Sequence, residues 1–257
     1  MPRFHLFDMP VDQIRLEDAV ERVLRLSEGP AALVVTPNTD HFLRWRRDAA
    51  FRDLYAQAEL AVLDGKPLVW LARLLGISTD RVTGVDLFTG VCEAAAQRGT
   101  PVVIVGGGTG VADQAAARLR TRFKCLRVSA APAPTAEELD DPDWLDRTAA
   151  LLAGYPEKVV AICLGSPKQE QLFSRLGSAA GNGAYLGVGA AADFISGRIQ
   201  RAPTWMQRLG FEWLYRLWKE PRRLWRRYLV DDVRIARYFA CAVARRVRGR
   251  GETAWDA

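Results

Sequence analysis

Short apolar runs punctuated by small or polar residues set the rhythm of this chain. Residues 31–35 run into Thr36-Pro37-Asn38-Thr39-Asp40, and a helical pattern begins near Phe42. Residues 60–63 end at Asp64-Gly65, before a helical stretch that reaches Leu75. Residues 101–105 end at Gly106-Gly107-Gly108-Thr109-Gly110, before an Ala-rich helix. Residues 159–164 end at Gly165-Ser166-Pro167, and residues 184–188 end at Gly189-Ala190. Continuous apolar runs of this length, alternating with helical patterns, predict an α/β fold: a Rossmann-like parallel sheet covered by helices on both faces. Ligands in such sheets bind beyond the carboxyl ends of the strands, which makes these loops the candidate site.

The pattern changes after residue 197. Residues 198–248 predict two or three amphipathic helices broken at Gly210 and Pro221. Trp205, Trp213, Trp218 and Trp225 alternate there with arginines, and Leu224, Trp225, Tyr228, Leu229 and Val233 share one helical face. Between Arg198 and Arg250 the chain holds 15 Lys and Arg against 4 Asp and Glu, although its net charge is only +6. A mildly acidic body thus carries a basic tail, and such a tail seeks an anionic partner. The expected division is 1–197, an α/β domain carrying the loop site, and 198–257, a basic amphipathic helical membrane-docking appendage. A helix lying in a membrane interface fits the segregation of charge and aromatics. A docked helix with a solvated basic face and a single-stranded nucleic-acid surface stay open as alternatives.

Composition narrows the classes. Apolar residues make up 49% and charged residues 26%, as in ordinary globular proteins. No run approaches the length of a membrane span, and the first residues lack the apolar centre of a secretory signal, so a cytoplasmic location is expected. Cys92, Cys125, Cys163 and Cys241 are widely spaced and form no C-x-x-C pair, and His5 and His41 are the only histidines. A dedicated metal site is therefore not expected. Asp141-Pro142-Asp143 is formally a D-x-D, but Asp143 stands just before a helical run from Trp144 and reads as an N-cap.

Three loops offer chemistry. Gly106, Gly107 and Gly108 let backbone N–H groups approach a phosphate at a helix N-terminus, or simply allow a tight turn. Their spacing is G-x-G-x-G and no acidic residue closes the next strand, which counts against a dinucleotide-dependent oxidoreductase. Ser166 and Pro167 suit the cap and first position of a helix, whereas Lys168 and Gln169 suit a sugar hydroxyl or diphosphate. Asp64 is either a turn former or a general base taking a proton from an attacking hydroxyl, with Thr36 and Asn38 lining the same cleft.

Taken in order, these segments resemble the WecG/TagA/CpsF glycosyltransferase family of bacterial surface-polysaccharide synthesis over about residues 36–228. The marks are Thr36-Pro-Asn38, Asp64-Gly65, Arg81-Val-Thr-Gly-Val-Asp86, the glycine loop, Gly165-Ser-Pro-Lys-Gln-Glu170, Gly187-Val-Gly-Ala-Ala-Ala-Asp193-Phe, Arg201-Ala-Pro-Thr-Trp-Met-Gln-Arg-Leu-Gly-Phe-Glu-Trp-Leu-Tyr-Arg216 and Pro221-Arg-Arg-Leu-Trp-Arg-Arg-Tyr228. The resemblance implies inverting transfer, without a metal or other cofactor, from a UDP-sugar to a polyprenyl-diphosphate-linked sugar. The donor sugar would be N-acetylmannosamine, its uronic acid, glucose or galactose. It implies Asp64 as base, Thr36, Asn38, Arg81 and Gln169 as substrate contacts, and Gly106, Gly107, Gly108 and Asp193 around the nucleotide. Arg216, Arg223 and Arg226 are the tail arginines it would bring over the site. The departure is Ala192, where family members often carry a larger residue before the Asp. The implied setting is the inner face of the cell membrane, reached from the cytoplasm, with self-association admitted and no nucleic-acid partner. The rival from another class is a non-catalytic nucleotide- or nucleic-acid-binding α/β protein.

Overall fold

A computed structural model describes residues 2–131, 133–135 and 137–247. Six parallel strands form its centre: β3 (Ala32–Val35), β4 (Ala58–Ala61), β5 (Val102–Gly106), β6 (Val128–Ala131), β7 (Val159–Cys163) and β8 (Ala184–Gly187). Their order is β4-β3-β8-β7-β5-β6. Successive residues alternate between two buried faces. Val35, Val103, Val105, Val160, Ile162 and Tyr185 belong to one core, and Val34, Val102, Ile104, Val159, Ala161 and Leu186 to the other. Burial on both faces is why these strands read as unbroken apolar runs.

Helices α1 (Leu16–Ser27), α5 (Gly84–Arg98), α6 (Val111–Arg122) and α9 (Ala191–Ser196) contribute to the second core. The first core receives α2 (Thr39–Arg47), α3 (Ala49–Tyr55), α4 (Lys66–Leu74), α7 (Pro142–Ala153) and α8 (Lys168–Leu176). It also receives an antiparallel hairpin, β1 (Arg3–Leu6) and β2 (Met9–Asp12). Its turn places the non-glycine residues Phe7 and Asp8 at φ of 49° and 68°. Such a turn carries no Gly or Asn signal, which is why the hairpin is silent in the sequence.

The chain leaves β5 toward the β6 edge and leaves β7 toward β8, so the loops after β5 and β7 diverge at a switch point. The strand expected at 60–63 begins two residues earlier. β4 is an edge strand, and its solvent-facing Glu59 interrupts the apolar signal. Asp64 still follows closely, its N–H donating to the Pro37 carbonyl at 3.0 Å. Helix α7 is capped by Asp141 rather than Asp143: the Asp141 carboxylate accepts the Asp143 N–H at 3.1 Å, and Pro142 takes the first helical position, where its missing N–H costs nothing. Ser166 does not cap α8, because the helix starts at Lys168 with Pro167 in the cap position.

The later segment forms α10 (Thr204–Leu209), α11 (Glu212–Lys219), α12 (Pro221–Arg226) and α13 (Ala236–Val247). Gly210, at φ 83°, ends α10, and Pro221 opens α12. A π-helical turn at Arg227–Asp231 and a tight turn at Asp232–Ile235 join α12 to α13. The expected apolar face does not bury as one. Leu224 is buried, while Trp225, Leu229 and Val233 are more than half exposed. Tyr238 of α13 returns to the body, edge-on to Phe42 at 4.8 Å and Phe7 at 5.2 Å. Among the described residues no helix is long and apolar enough to cross a membrane.

Candidate active site beyond the strand ends

A cleft of about 1070 Å³ opens where the strand-end loops converge. Thr36 and Asn38 enter it from β3, Gly107 and Gly108 from β5, Ser166 and Gln169 from β7, and Gly189 and Asp193 from β8. A second cavity of about 420 Å³ lies beside it. Asn38, Asp64, Val85, Phe194 and Arg216 line both, so Asp64 stands where the two spaces meet. The first space is walled by glycine loops and polar side chains. The second is walled largely by the C-terminal helices, through Trp213, Tyr228, Leu229 and Val233, with Lys66, Arg81 and Arg201 among its cations.

Asp64 is held from several sides. Gly84 donates its N–H to the carboxylate at 3.4 Å, and the Arg81 guanidinium lies 3.6 Å from it. Arg81 also donates to the Asp64 carbonyl at 2.6 Å and to Glu212 of α11 at 2.7 Å. Burial on the cleft floor pushes the Asp64 pKa above the ordinary aspartate range; Arg81 opposes that rise and Glu212 adds to it. The side chain is nevertheless 29% exposed, so a ligand can reach it. A carboxylate that is accessible yet reluctant to stay charged is suited to accept a proton.

Asn38 caps α2, its side-chain oxygen accepting the Asp40 N–H at 3.0 Å and the His41 N–H at 3.4 Å. Such a cap is worth about 1 kcal/mol. Thr36 donates its hydroxyl proton to the Gly187 carbonyl at 3.0 Å. Gln169 is buried, accepting the Gly189 N–H at 3.1 Å and donating to Glu170 at 2.8 Å. A side chain at Gly187 would collide with the Gln169 amide, which explains the glycine. Asp193 faces Arg198 at 3.9 Å. Gly107 and Gly108 line the cleft; Gly106 does not, and its φ of 107° against the Cys163 backbone assigns it to packing.

The tail arginines separate. Arg216 lines both cavities, with its guanidinium 5.5 Å from the Phe194 ring. Arg226 is exposed on α12 and lines neither. The side chain of Arg223 lies outside the described residues.

Several residues here carry no role in the sequence reading. Arg201 grips Asp86 with two hydrogen bonds, at 2.6 and 3.1 Å, and Thr83 adds a third at 2.7 Å. Burial works against the Asp86 charge, but Arg201 and Thr83 hold its carboxyl below the usual range. His41 and Glu170 form a buried pair beneath Asn38, at 3.3 Å. The 81–86 and 201–216 segments each carry charges of both signs, but nothing in spacing pairs Arg81 with Glu212 across 131 positions.

The model of the glycosyl transferase WecG/TagA/CpsF family matches residues 4–250, and the chain belongs to that family. It is a glycosyltransferase of cell-surface polysaccharide synthesis. The family implies a nucleotide-sugar donor and a lipid-linked sugar acceptor.

The strained charge on Asp64 has a measurable consequence. A carboxyl whose folded pKa lies above its unfolded one loses stability as pH rises from the unfolded toward the folded value. Asp64→Asn removes that penalty. Its melting temperature should exceed that of the wild type at pH 7.5, and the difference should vanish below the ordinary aspartate range. Equal melting temperatures at pH 7.5 would contradict the assigned shift.

Proposed function

We propose that this member of the family is an inverting, metal-independent transferase that moves a sugar from UDP to a polyprenyl-diphosphate-linked saccharide. The observation that carries the reading is the position of Asp64 at the junction of two unlike cavities. The larger, with its glycine loop and helix N-terminus, suits a nucleotide diphosphate sugar. The smaller, apolar and lined by cations, suits a lipid diphosphate. A transferase needs both substrates to reach one base.

In this mechanism the acceptor hydroxyl attacks the anomeric carbon from the face opposite UDP. Asp64 takes the hydroxyl proton as the new C–O bond forms. The bond to UDP breaks, its electron pair leaves with the diphosphate, and the configuration inverts. The growing negative charge is met by the Gly108 N–H and by Arg216; the Gly107 N–H is already donated to the Cys163 carbonyl at 2.9 Å. Thr36, Asn38, Arg81 and Gln169 place the sugars, and Asp193 borders the nucleotide.

Trp213, Leu229 and Val233 line the smaller cavity and are also 38%, 54% and 57% exposed, which gives that cavity an apolar rim. Trp205, Trp218 and Trp225 add exposed aromatic surface on neighbouring helices. This arrangement supports peripheral docking of residues 198–257 on the inner face of the cell membrane, so that a lipid acceptor enters without leaving the bilayer. Each arginine near an anionic leaflet contributes on the order of 1 kcal/mol to that docking.

Two outcomes are expected. Asp64→Asn should bind UDP-sugar like the wild type and lower kcat by about 10²- to 10⁴-fold. The wild-type rate should fall on the acid side at a pH above the ordinary aspartate range, since burial raises the base's pKa. Normal single-turnover transfer by Asp64→Asn would remove it as the base. Separately, a variant with Trp205, Trp218 and Trp225 all replaced by Ser should lose co-sedimentation with anionic vesicles while keeping its far-ultraviolet circular dichroism. Undiminished vesicle binding would overturn the docking surface.

A further inference from the structure

Beneath the loops that carry Asn38 and Gln169, two titratable side chains are sealed from solvent. His41 is 5% exposed and Glu170 0%. Their hydrogen bonds fix the identity of every atom involved. Asn38 Oδ1 accepts two backbone N–H groups, so it is the oxygen of the amide. His41 Nδ1 lies 3.1 Å from that oxygen and must donate to it. Gln169 Oε1 accepts the Gly189 N–H, so its amide nitrogen faces Glu170 at 2.8 Å and His41 Nε2 at 3.4 Å. His41 Nε2 in turn lies 3.3 Å from Glu170 Oε1.

These contacts set what each polar atom of the pair meets. The Gln169 amide makes its short bond to Glu170. A lone pair on His41 Nε2 would face a carboxylate oxygen, whereas a proton there makes a charge-assisted bond. Burial opposes the charge on Glu170, but the His41 and Gln169 hydrogen bonds and the charge on His41 hold its carboxyl below the usual range. His41 Nδ1 thus faces the Asn38 oxygen, while Nε2 stands between the Glu170 oxygen at 3.3 Å and the Gln169 amide nitrogen at 3.4 Å, with the carboxylate the nearer neighbour. A buried carboxylate needs a cationic partner to persist as an ion.

We propose that His41 and Glu170 form a buried imidazolium–carboxylate pair that positions Asn38 and Gln169 around Asp64. The pair joins the loops after β3 and β7, and Gln169 carries the link on to the loop after β8. Both positioned side chains line the larger cleft, as does Asp64. Asp40, also on that cleft, is turned to Arg44 at 3.7 Å; the other titratable groups that feel the pair are Asp64, on the His41 side, and the buried Tyr55, on the Glu170 side. The role rests on the transferase reading above; the pair acts through its neighbours, and only an edge of His41 reaches the wall of the larger cleft.

The test begins with the wild-type protein. With only two histidines, His41 can be assigned in a long-range ¹H–¹⁵N correlation spectrum. Both of its ring nitrogens should be protonated at pH 7, and a neutral ring with one protonated nitrogen would overturn the proposal. Glu170→Gln keeps the shape and removes the charge. It should cost His41 one ring proton and lower kcat by about 10- to 100-fold, with the dissociation constant for UDP-sugar unchanged within about threefold. An unchanged kcat would also overturn it. If that variant does not fold, His41→Gln combined with Glu170→Gln removes both charges together, and a folded double variant with wild-type kcat is the contrary result. Asp64→Asn measured alongside separates the two assignments. Normal turnover by Asp64→Asn with slow Glu170→Gln defeats the base and keeps the pair, and the reverse pattern defeats the pair and keeps the base.

Discussion

Arg81 is the side chain on which the site's two halves depend. One guanidinium reaches the Asp64 carbonyl, stands against its carboxylate and bonds Glu212 of α11. The Asp86–Arg201 pair repeats the link from the first turn of α5. Both join a loop or helix start of the α/β body to the C-terminal segment, and both are charge-assisted and partly shielded, where such bonds are strongest. The second cavity takes much of its wall from that segment, so these bonds hold together the space a second substrate would need.

The same arrangement explains why Asp64 can be reactive without being lost to a salt bridge. Arg81 divides its hydrogen bonds between the Asp64 carbonyl and Glu212, and only its longer contact of 3.6 Å reaches the carboxylate. Glu212 adds negative charge nearby, and burial raises the pKa further. A tight, bidentate arginine would have done the opposite, as it does at Asp86. The two aspartates are thus driven in opposite directions, the deeper Asp64 upward by burial that its looser arginine does not offset, and Asp86 downward by the hydrogen bonds of Arg201 and Thr83.

Much of the fold was legible because both sheet faces are buried. Runs such as Val159–Cys163 have no polar face to disguise them, and glycines or prolines close each one. Glu59 hid the true start of an edge strand, and the hairpin at the N-terminus turns on Phe7 and Asp8, which carry no turn signal. At the site, the loops announced themselves as strand ends. The partners of the side chains did not, because Arg81 and Glu212, or His41 and Glu170, meet only through tertiary packing across more than a hundred residues. Asn38 and Gln169 were read as sugar contacts. The structure adds that each is already hydrogen-bonded to the protein, which turns attention to what holds them. The π-helical turn before α13 is likewise invisible to a 3.6-residue pattern.

The central claim is that one carboxylate serves a nucleotide-sugar cavity and a lipid-acceptor cavity. The most direct measurement incubates the purified chain with a panel of UDP-sugars and polyprenyl-diphosphate-linked monosaccharides, with EDTA present, and follows lipid-linked disaccharide by mass together with the anomeric configuration of the new bond. The account predicts disaccharide of inverted configuration from one donor, formed despite the chelator. Retained configuration, or transfer that requires an added divalent cation, would contradict it.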